Sequence, residues 1–234
     1  NRARIHLEII KKCREEVGND FAISIKMNSA DFQKGGFSPE DSIQVAKLFS
    51  DSGIDNIEIS GGTYEQPRLL GLDKVSINPK RSENRKESTI AREAYFLSYA
   101  EEIAKVVNIP LMVTGGFRTK EGMEAALRDG ACEIVGVGRP LCANPYAIKE
   151  LLSGQIDELP KYEKTLSIGP WWLSPTSPFR LIQAINAFSA QAWFYQQIKK
   201  MGKGLMPDLN LKPWKAFRED AKADQEAIKE YQNF

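Results

Sequence analysis

The chain has 234 residues, of which 42% are hydrophobic and 27% are charged, with a formal net charge of +1. This composition is typical of a globular protein, and because it contains no basic block, nucleic-acid binding is not expected. No apolar run is long enough for a transmembrane helix and no signal peptide opens the chain, so we expect a cytoplasmic protein. The chain begins with Asn1 inside an amphipathic pattern, which indicates part of a longer sequence.

Histidine and cysteine usage excludes several kinds of site. The single histidine, His6, leaves no His-based metal cluster and no Ser-His-Asp triad within this chain, and we expect it to be a partly exposed helix residue. Cys13, Cys132 and Cys142 lack metal-ligand spacing. They are predicted to be buried, reduced thiols, which suits a cytoplasmic location.

The first quarter of the chain predicts a helix, a strand and a second helix. Residues 3–17 are predicted to be a helix that buries a stripe formed by Ile5, Ile9, Cys13 and Val17. Residues 21–27 alternate as a strand, with Ser24 and Lys26 on the face opposite the apolar residues. Ser38-Pro39-Glu40-Asp41 is a strong helix start, followed by a predicted buried stripe of Ile43, Val45, Ala46, Leu48 and Phe49.

A strand over residues 56–59 carries Glu58, which is unusual in a parallel strand and either pairs with a base or lines a polar layer. Residues 65–90 are polar and are interpreted either as a long loop over the mouth of a site or as a disordered insertion. Residues 91–107 then predict a helix with Tyr95, Tyr99, Ile103 and Val107 at burial spacing.

The stretch from Ile109 to Leu141 predicts a βαβ unit. Its strands are predicted over residues 111–114 and 134–137, and Thr119 is the expected cap of a helix that carries Met123, Ala126 and Leu127 on one face. Gly115 and Gly116 follow the first strand, while Gly138 and Arg139 follow the second. Backbone N–H groups at two neighbouring strand ends, with an arginine beside them, predict a phosphate cup. The alternative is that the glycines only form turns and the arginine pairs with an acid.

The whole pattern predicts an α/β fold in which four parallel strands alternate with helices. Four strands cannot close a barrel, so the pattern is half of a (β/α)8 TIM barrel. We expect two domains, the half barrel over residues 1–160 and a helical C-terminal extension over residues 161–234. The extension contains all four tryptophans and a predicted helix that starts at Ser177-Pro178 and bears Phe179, Ile182, Ile185, Phe188, Ala192 and Tyr195. It either packs on the barrel or contacts a membrane surface or a second copy.

Six segments in order resemble the old yellow enzyme family of FMN-dependent NADH:flavin oxidoreductases, and the tail AWFYQQIKKMGKGLMPDL is similar to that of fungal members. The six segments are NRARIHLEII, ISIKMNSADF, GFSPEDSIQVAKLF, DNIEISGGTYEQP, VTGGFRT and VGVGRPL. The resemblance implies strands five to eight of the family's barrel, with strands one to four, their histidine pair and their proton-donating tyrosine absent. No residue of this chain matches a catalytic role, and no metal is implied.

The resemblance also implies site residues. Lys26 matches the basic residue beside the flavin N1 and C2 oxygen, where relatives often have arginine. Gly115, Gly116 and Phe117 match one phosphate loop, and Gly138 and Arg139 match the phosphate-binding pair after the last strand. Tyr64 would lie where substrate enters. The implied reaction uses NADH or NADPH to reduce FMN, which reduces a small electron-poor acceptor such as an activated alkene or a quinone.

Three hypotheses remain open from the sequence. The chain is the C-terminal half of an FMN oxidoreductase that needs its other half, or a non-catalytic half barrel that binds flavin, phosphate or a partner and covers its open edges as a homodimer. A third hypothesis, a phosphate-binding aldolase or isomerase, requires Lys26 as a Schiff-base lysine. The motifs that carry the resemblance argue against the third.

Overall fold

The computed structural model describes residues 3–31, 35–61 and 96–232. The predicted segment 65–90, Tyr64 and Tyr95 lie outside the described residues. The chain divides into two compact units, and the boundary between them within the described residues lies between Val137 and Gly138. The predicted domain boundary near residue 160 stays a prediction.

A four-stranded sheet organises the first unit. Its strands are β1 (Ser24–Asn28), β2 (Asn56–Ser60), β3 (Leu111–Thr114) and β4 (Ile134–Gly136). They lie in chain order, and each neighbouring pair is parallel. The prediction of parallel strands alternating with helices is confirmed, and the sheet with its helices is part of a (β/α)8 barrel.

Four described helices accompany the sheet: α1 (Arg4–Val17), α2 (Pro39–Ser50), α3 (Leu97–Ala104) and α4 (Lys120–Arg128). One face of the strands packs with these helices in a single core, which includes Ile57, Ile59, Leu111, Val113, Phe49, Leu97, Ile103 and Ala126. The opposite face of the strands carries mostly polar side chains. The alternation of apolar and polar residues therefore divides the sheet into a packed face and a face available for ligands.

Two helix starts form as the sequence predicts. The Ser38 hydroxyl accepts a hydrogen bond from the Asp41 N–H at 3.1 Å, and the Asp41 carboxylate accepts one from the Ser38 N–H, which completes a capping box. The Thr119 hydroxyl accepts the Gly122 N–H at 3.1 Å at the start of α4. These caps fix where the two helices leave the sheet.

The buried face of α1 differs from the prediction. Ile5, Ile9, Cys13 and Val17 are all exposed, whereas Ile10 is buried and Leu7 is half-buried. Helix α1 carries two apolar stripes, and the one that shares a face with Arg14 packs on the sheet. In α2, Leu48 is also exposed although it was expected to be buried. His6 is exposed as predicted, with its ring 6.1 Å from that of Phe49.

Arg14 fastens α1 to the amino-terminal edge of the sheet. Its guanidinium donates to the carbonyl oxygens of Gly18, Phe21 and Gly53 and to the Asp55 carboxylate, the last at 2.6 Å. Asp55 also accepts the Ile23 N–H at 2.7 Å. The backbone N–H and the arginine both favour the ionised carboxylate, so they lower the pKa of Asp55 below its ordinary 3.8.

The second unit is helical, with α5 (Arg139–Ala143), α6 (Ala147–Leu152), α7 (Arg180–Gly202) and α8 (Pro213–Gln232). Trp193 on α7 is buried and donates its indole N–H to the Leu211 carbonyl at 2.9 Å. Gln197 is also buried, donating to the Asp208 carbonyl and accepting the Asp208 N–H. These bonds hold the turn between α7 and α8 against the helix.

The helix expected after Ser177-Pro178 is present as α7, and the apolar residues of this region differ in burial. Phe179, Phe188 and Tyr195 are exposed, Ile182 and Ile185 are half-buried, and Ala192 is buried. Of the tryptophans, Trp193 is buried while Trp171, Trp172 and Trp214 are exposed. Polar side chains such as Asn186 and Gln197 face inward instead because they bond the backbone of neighbouring loops.

The three cysteines are free, as predicted, but only Cys132 is buried. Cys142 is half-buried and Cys13 is exposed. Burial is the larger cause and the nearby Glu133 carboxylate the smaller one that together raise the pKa of Cys132 to about 11. Cys132 is therefore an unreactive core thiol.

Candidate functional site

The polar face of the sheet presents an ion pair between its first two strands. Lys26 of β1 and Glu58 of β2 lie in register, and the Lys26 ammonium donates to the Glu58 carboxylate at 2.7 Å. Two residues earlier in each of these strands, the Ser24 hydroxyl donates to the Asn56 side-chain oxygen at 2.8 Å. Glu58 therefore pairs with a base on this face, which is one of the two arrangements predicted from the sequence.

A threonine and a glycine face each other where β3 and β4 end. Thr114 and Gly136 lie in register, and a Cβ atom on Gly136 would come within 1.9 Å of the Thr114 Oγ1. The Thr114 Oγ1 is buried and has no hydrogen-bond partner among the described residues. A buried hydroxyl without a partner costs free energy, so this atom is a candidate for bonding a ligand.

A similar pair lies at the ends of β1 and β2. The Ser29 N–H donates to the Ser60 carbonyl at 2.6 Å, which extends the ladder by one residue. The Ser29 side chain is fully buried, and its Oγ would lie 3.1 Å from a Cβ atom on Gly61. The ring of Phe96 lies still closer to that Cβ position, at 2.6 Å. Glycine is therefore the only residue type that fits at position 61 without displacing the Phe96 ring or the Ser29 side chain.

The turn after β3 is formed by two consecutive glycines in the left-handed region. Gly115 has φ of 113° and Gly116 has φ of 90°, which residues with a side chain rarely adopt. The Gly115 N–H bonds the Gly136 carbonyl at 3.4 Å, so the turn stays attached to β4. Phe117 is buried beneath it, and the buried Arg118 donates to the Phe117 carbonyl at 2.7 Å.

The loop after β1 is held by one carboxylate. The Asp31 side chain accepts hydrogen bonds from the Asn28 amide at 2.9 Å and from the Phe37 N–H at 2.9 Å. The Asp31 N–H in turn donates to the Phe37 carbonyl. These bonds tie the end of β1 to the residue that precedes the α2 cap.

In the second unit, α5 begins directly at Gly138 and Arg139. A Cβ atom on Gly138 would meet nothing within 4 Å, so this backbone position is open. The Arg139 side chain is mostly buried and lies 3.9 Å from the Glu163 carboxylate. Arg139 therefore has an acidic neighbour within the same unit, at the longest distance that counts as an ion pair. A bound phosphate would compete with Glu163 for the Arg139 guanidinium.

The structure places the predicted residues in two groups, each described within its own unit. Lys26, Gly115, Gly116 and Phe117 belong to the sheet of the first unit, while Gly138 and Arg139 open the second. Their joint cup stays a prediction, and the described residues do not include Tyr64. Sequence reasoning missed Thr114, Ser29, Gly61 and Glu163. The signal for Thr114 was its place as the last strand residue before two glycines, whereas nothing in the sequence pointed to Glu163.

These residues fit a phosphate-bearing flavin. A cation at the polar face, a buried hydroxyl lacking a partner and a double-glycine turn are groups that bind anionic and polar parts of a cofactor. Among the residues that the structure describes, no cluster of histidine, cysteine or carboxylate side chains could hold a metal ion. None of the described helices is long and apolar enough to cross a bilayer.

Comparisons with known proteins point to one family. A profile described as the NADH:flavin oxidoreductase / NADH oxidase family matches residues 1–158. The NADH-dependent flavin oxidoreductase iccE of Talaromyces variabilis is 32% identical over 207 residues, which are 87% of this chain and 47% of that protein. The NADH-dependent flavin oxidoreductase iliE of Hypocrea jecorina is 38% identical over 156 residues, which are 64% of this chain and 36% of the relative. The chain thus spans less than half the length of these two curated relatives.

Among solved structures, a 2-naphthoyl-CoA reductase in complex with 2-naphthoyl-CoA is similar with a TM-score of 0.53 and 27% identity. The similarity covers 68% of this chain and 22% of that one. A histamine dehydrogenase from Rhizobium sp. 4-9 has the same fold over 66% of this chain and 20% of its own, with a TM-score of 0.51 and 21% identity. The predicted resemblance is confirmed: the chain belongs to the NADH:flavin oxidoreductase / NADH oxidase family.

Proposed function

We propose that this chain is the cofactor-binding part of an FMN-dependent oxidoreductase that takes reducing equivalents from NADH or NADPH and gives them to a small electron-poor acceptor. The observation that carries the proposal is the buried Thr114 hydroxyl beside the Gly115–Gly116 turn at the carboxyl edge of a parallel sheet. Ligands of α/β folds bind at this edge, and the family supplies the identity of the ligand.

Each residue has a role that follows from its chemistry. The Lys26 ammonium offers positive charge to the flavin ring, with Glu58 holding it on the polar face. Gly115, Gly116 and Phe117 offer backbone N–H groups to the phosphate, and Gly138 and Arg139 offer a backbone N–H group and a guanidinium. Tyr64, which lies outside the described residues, is the proposed substrate-binding residue. FMN, when bound, accepts hydride from the nicotinamide and donates it to the acceptor.

The alternative function is a non-catalytic module that binds flavin or phosphate. The aldolase or isomerase hypothesis has less support, since Lys26 is engaged with Glu58 at 2.7 Å. We place the protein in the cytoplasm because its three cysteines are free thiols.

The test is the visible absorption spectrum of the 234-residue chain, mixed with FMN and then freed of excess ligand. A retained flavin that bleaches when NADH or NADPH is added supports the oxidoreductase. Retained flavin that does not bleach shows cofactor binding without activity, which is expected both of the non-catalytic module and of an oxidoreductase part that needs its other half. If the chain retains no flavin, the proposed flavin-binding role of this chain is rejected in both functions.

A variant pair links the spectrum to the site. Arg139→Gln removes the guanidinium and should weaken FMN binding about tenfold or more, as expected for the loss of a charge-assisted phosphate bond worth about 1.5–3 kcal/mol. Arg128→Gln, on the exposed last turn of α4, is the matched control and should bind FMN like the original chain. Equal loss in both variants would contradict the assigned role of Arg139.

A further inference from the structure

The arginine that opens α5 lies beside a carboxylate of its own unit. The Arg139 Nη1 and the Glu163 Oε1 are 3.9 Å apart, and the two side chains are only 28% and 23% exposed. At this distance the two groups attract each other, but they do not form a hydrogen bond. Because both side chains are largely shielded from water, their charges interact more strongly than those of a fully exposed pair.

Packing on a shared core holds the backbone on both sides of this pair. Glu163 is the middle residue of a short helical turn over residues 162–164. The ring of Tyr162 in this turn lies 5.8 Å from the ring of the buried Trp193. Helix α5 contributes Ala143 to the core that includes Trp193, and Tyr162 packs against the same core. The approach of the two charged side chains therefore depends on how α5 and the turn pack, and not only on their mutual attraction.

A carboxylate in this place has opposite effects on the chain with and without a phosphate. Without a ligand, Glu163 compensates the charge of the largely shielded Arg139, and a shielded charge that lacks a counter-charge lowers stability. With a phosphate on the Arg139 guanidinium, Glu163 adds a second negative charge near the first, and like charges repel. The carboxylate therefore stabilises the unliganded chain and weakens phosphate binding.

We propose that Glu163 is a specificity-determining residue of the phosphate site. It limits how strongly Arg139 distinguishes a flavin that carries a phosphate from the same flavin without one. This inference rests on the proposed FMN-binding function. The sequence left two interpretations of Arg139 open, phosphate binding and pairing with an acid. Both then apply, because Glu163 neutralises the guanidinium until a phosphate competes for it.

The first test compares the affinities of the full 234-residue chain and of its Glu163→Gln variant for FMN and for riboflavin, by fluorescence titration. Glutamine keeps the size of the side chain and removes its charge. The dissociation constant for FMN should fall about threefold or more, whereas that for riboflavin should not change, because riboflavin has no phosphate. Glu219→Gln breaks an ion pair with Lys215 that is also 3.9 Å long, and this control should leave both constants unchanged.

The second test measures the unliganded chain by urea unfolding. Glu163→Gln should lower the unfolding midpoint, because Arg139 loses its counter-charge. The same change made in an Arg139→Gln background should not lower the midpoint, since the charge to be compensated is then gone. A residue with a merely structural role would lower stability and would not tighten FMN binding. Tighter FMN binding by a less stable chain is therefore the signature of the proposed role.

The outcomes separate this inference from the proposed function. If the original chain binds FMN and Glu163→Gln binds it no more tightly, the inference is overturned and the proposed function stands. Equal gains for FMN and riboflavin also overturn the inference, because the effect then does not depend on the phosphate. A loss of stability that persists in the Arg139→Gln background overturns the pairing of the two side chains. If the original chain binds neither flavin, the proposed function fails and the inference fails with it.

Discussion

At the scale of single residues, the contact between Lys26 and Glu58 controls how much positive charge the sheet can offer a ligand. The two side chains meet at 2.7 Å, with the lysine 55% exposed and the glutamate 19% exposed. A carboxylate this close neutralises much of the field of the ammonium at the distance of a flavin ring. Glu58 therefore both positions Lys26 and weakens its attraction for anionic groups.

Replacing Glu58 with glutamine is expected to strengthen FMN binding several-fold, since the amide keeps the size of the side chain and removes its negative charge. The same change should raise the midpoint potential of bound flavin, because reduction adds negative charge beside Lys26. A fluorescence titration and a spectroelectrochemical titration measure the two effects. Glu102→Gln breaks the comparable exposed pair with Lys105, also 2.7 Å long, and serves as the control. Weaker binding in Glu58→Gln would show that positioning matters more than charge.

Gly136 illustrates a residue fixed by close approach rather than by its φ angle. A methyl group there would lie 1.9 Å from the Thr114 Oγ1 and 2.7 Å from the Met112 Cε. We expect Gly136→Ala to destabilise the chain by about 1–3 kcal/mol, the usual cost of overpacking. Urea unfolding measures this change. Gly202→Ala, at the end of α7 with nothing within 4 Å of the added carbon, should be neutral or slightly stabilising. Similar stabilities for the two variants would show that the strand ends readily move apart.

At the scale of elements, the capping box of α2 fixes the helix that follows the Asp31 loop. Ser38→Ala removes the hydroxyl that accepts the Asp41 N–H, so it should lower the free energy of unfolding by about 1 kcal/mol. Ser38→Gly should cost only a few tenths of a kcal/mol, because water then reaches the helix end. Chemical denaturation of both variants tests the difference. Equal losses would mean that the side-chain bond contributes little and that backbone conformation decides the stability.

The link from α1 to the strands should depend on pH through Asp55. Its pKa is lowered in the folded chain, so its contribution to stability is complete above 3.8, the ordinary value, and is lost as pH falls through the lower folded value. Asp55→Asn should therefore melt at a lower temperature than the original chain near neutral pH, with the gap closing in strong acid. Melting curves across pH provide the test, with Asp51→Asn, at the exposed end of α2, as the control. A gap that persists in acid would assign the effect to geometry rather than charge.

Elements were predicted well from the sequence because their signals are local. The strand over residues 111–114 and the caps at Ser38 and Thr119 depend on neighbours within a few positions. The buried face of α1 could not be predicted in this way. Its two apolar stripes have the same helical spacing, so the spacing does not show which of them is buried. The stripe that is buried shares a face with Arg14, whose partners Gly53 and Asp55 lie 39 and 41 residues away.

The same limit applies to α7 and to the site. The loops around α7 need hydrogen-bond partners, and the inward-facing side chains of Asn186, Trp193 and Gln197 supply them. The spacing of apolar residues along the helix does not reveal this requirement. In the site, the paired glycines were visible as a pattern. The role of the Thr114 hydroxyl could not be predicted, because it depends on Gly136, which lies 22 residues further along the chain and on the next strand.

At the scale of the whole molecule, a cofactor that bridges several strand ends must stabilise the fold, since it binds the folded chain and not the unfolded one. Saturation to about 100 times the dissociation constant adds about 2.7 kcal/mol. Because the proposed site is built mainly around the phosphate, FMN should raise the melting temperature more than riboflavin, which has the same ring without the phosphate. Adenosine monophosphate, a phosphate ester without a flavin, should give the smallest increase.

Thermal melts of the 234-residue chain with the three compounds at equal concentration test which part of the cofactor the chain binds. FMN above riboflavin, and riboflavin above adenosine monophosphate, is the order expected of an oxidoreductase site that binds both ring and phosphate. Equal increases with FMN and adenosine monophosphate would mean that phosphate alone is bound, as in the non-catalytic alternative. Equal increases with FMN and riboflavin would contradict the phosphate roles of Gly115, Gly116 and Arg139, because the glycine turn and the guanidinium would then add nothing to binding.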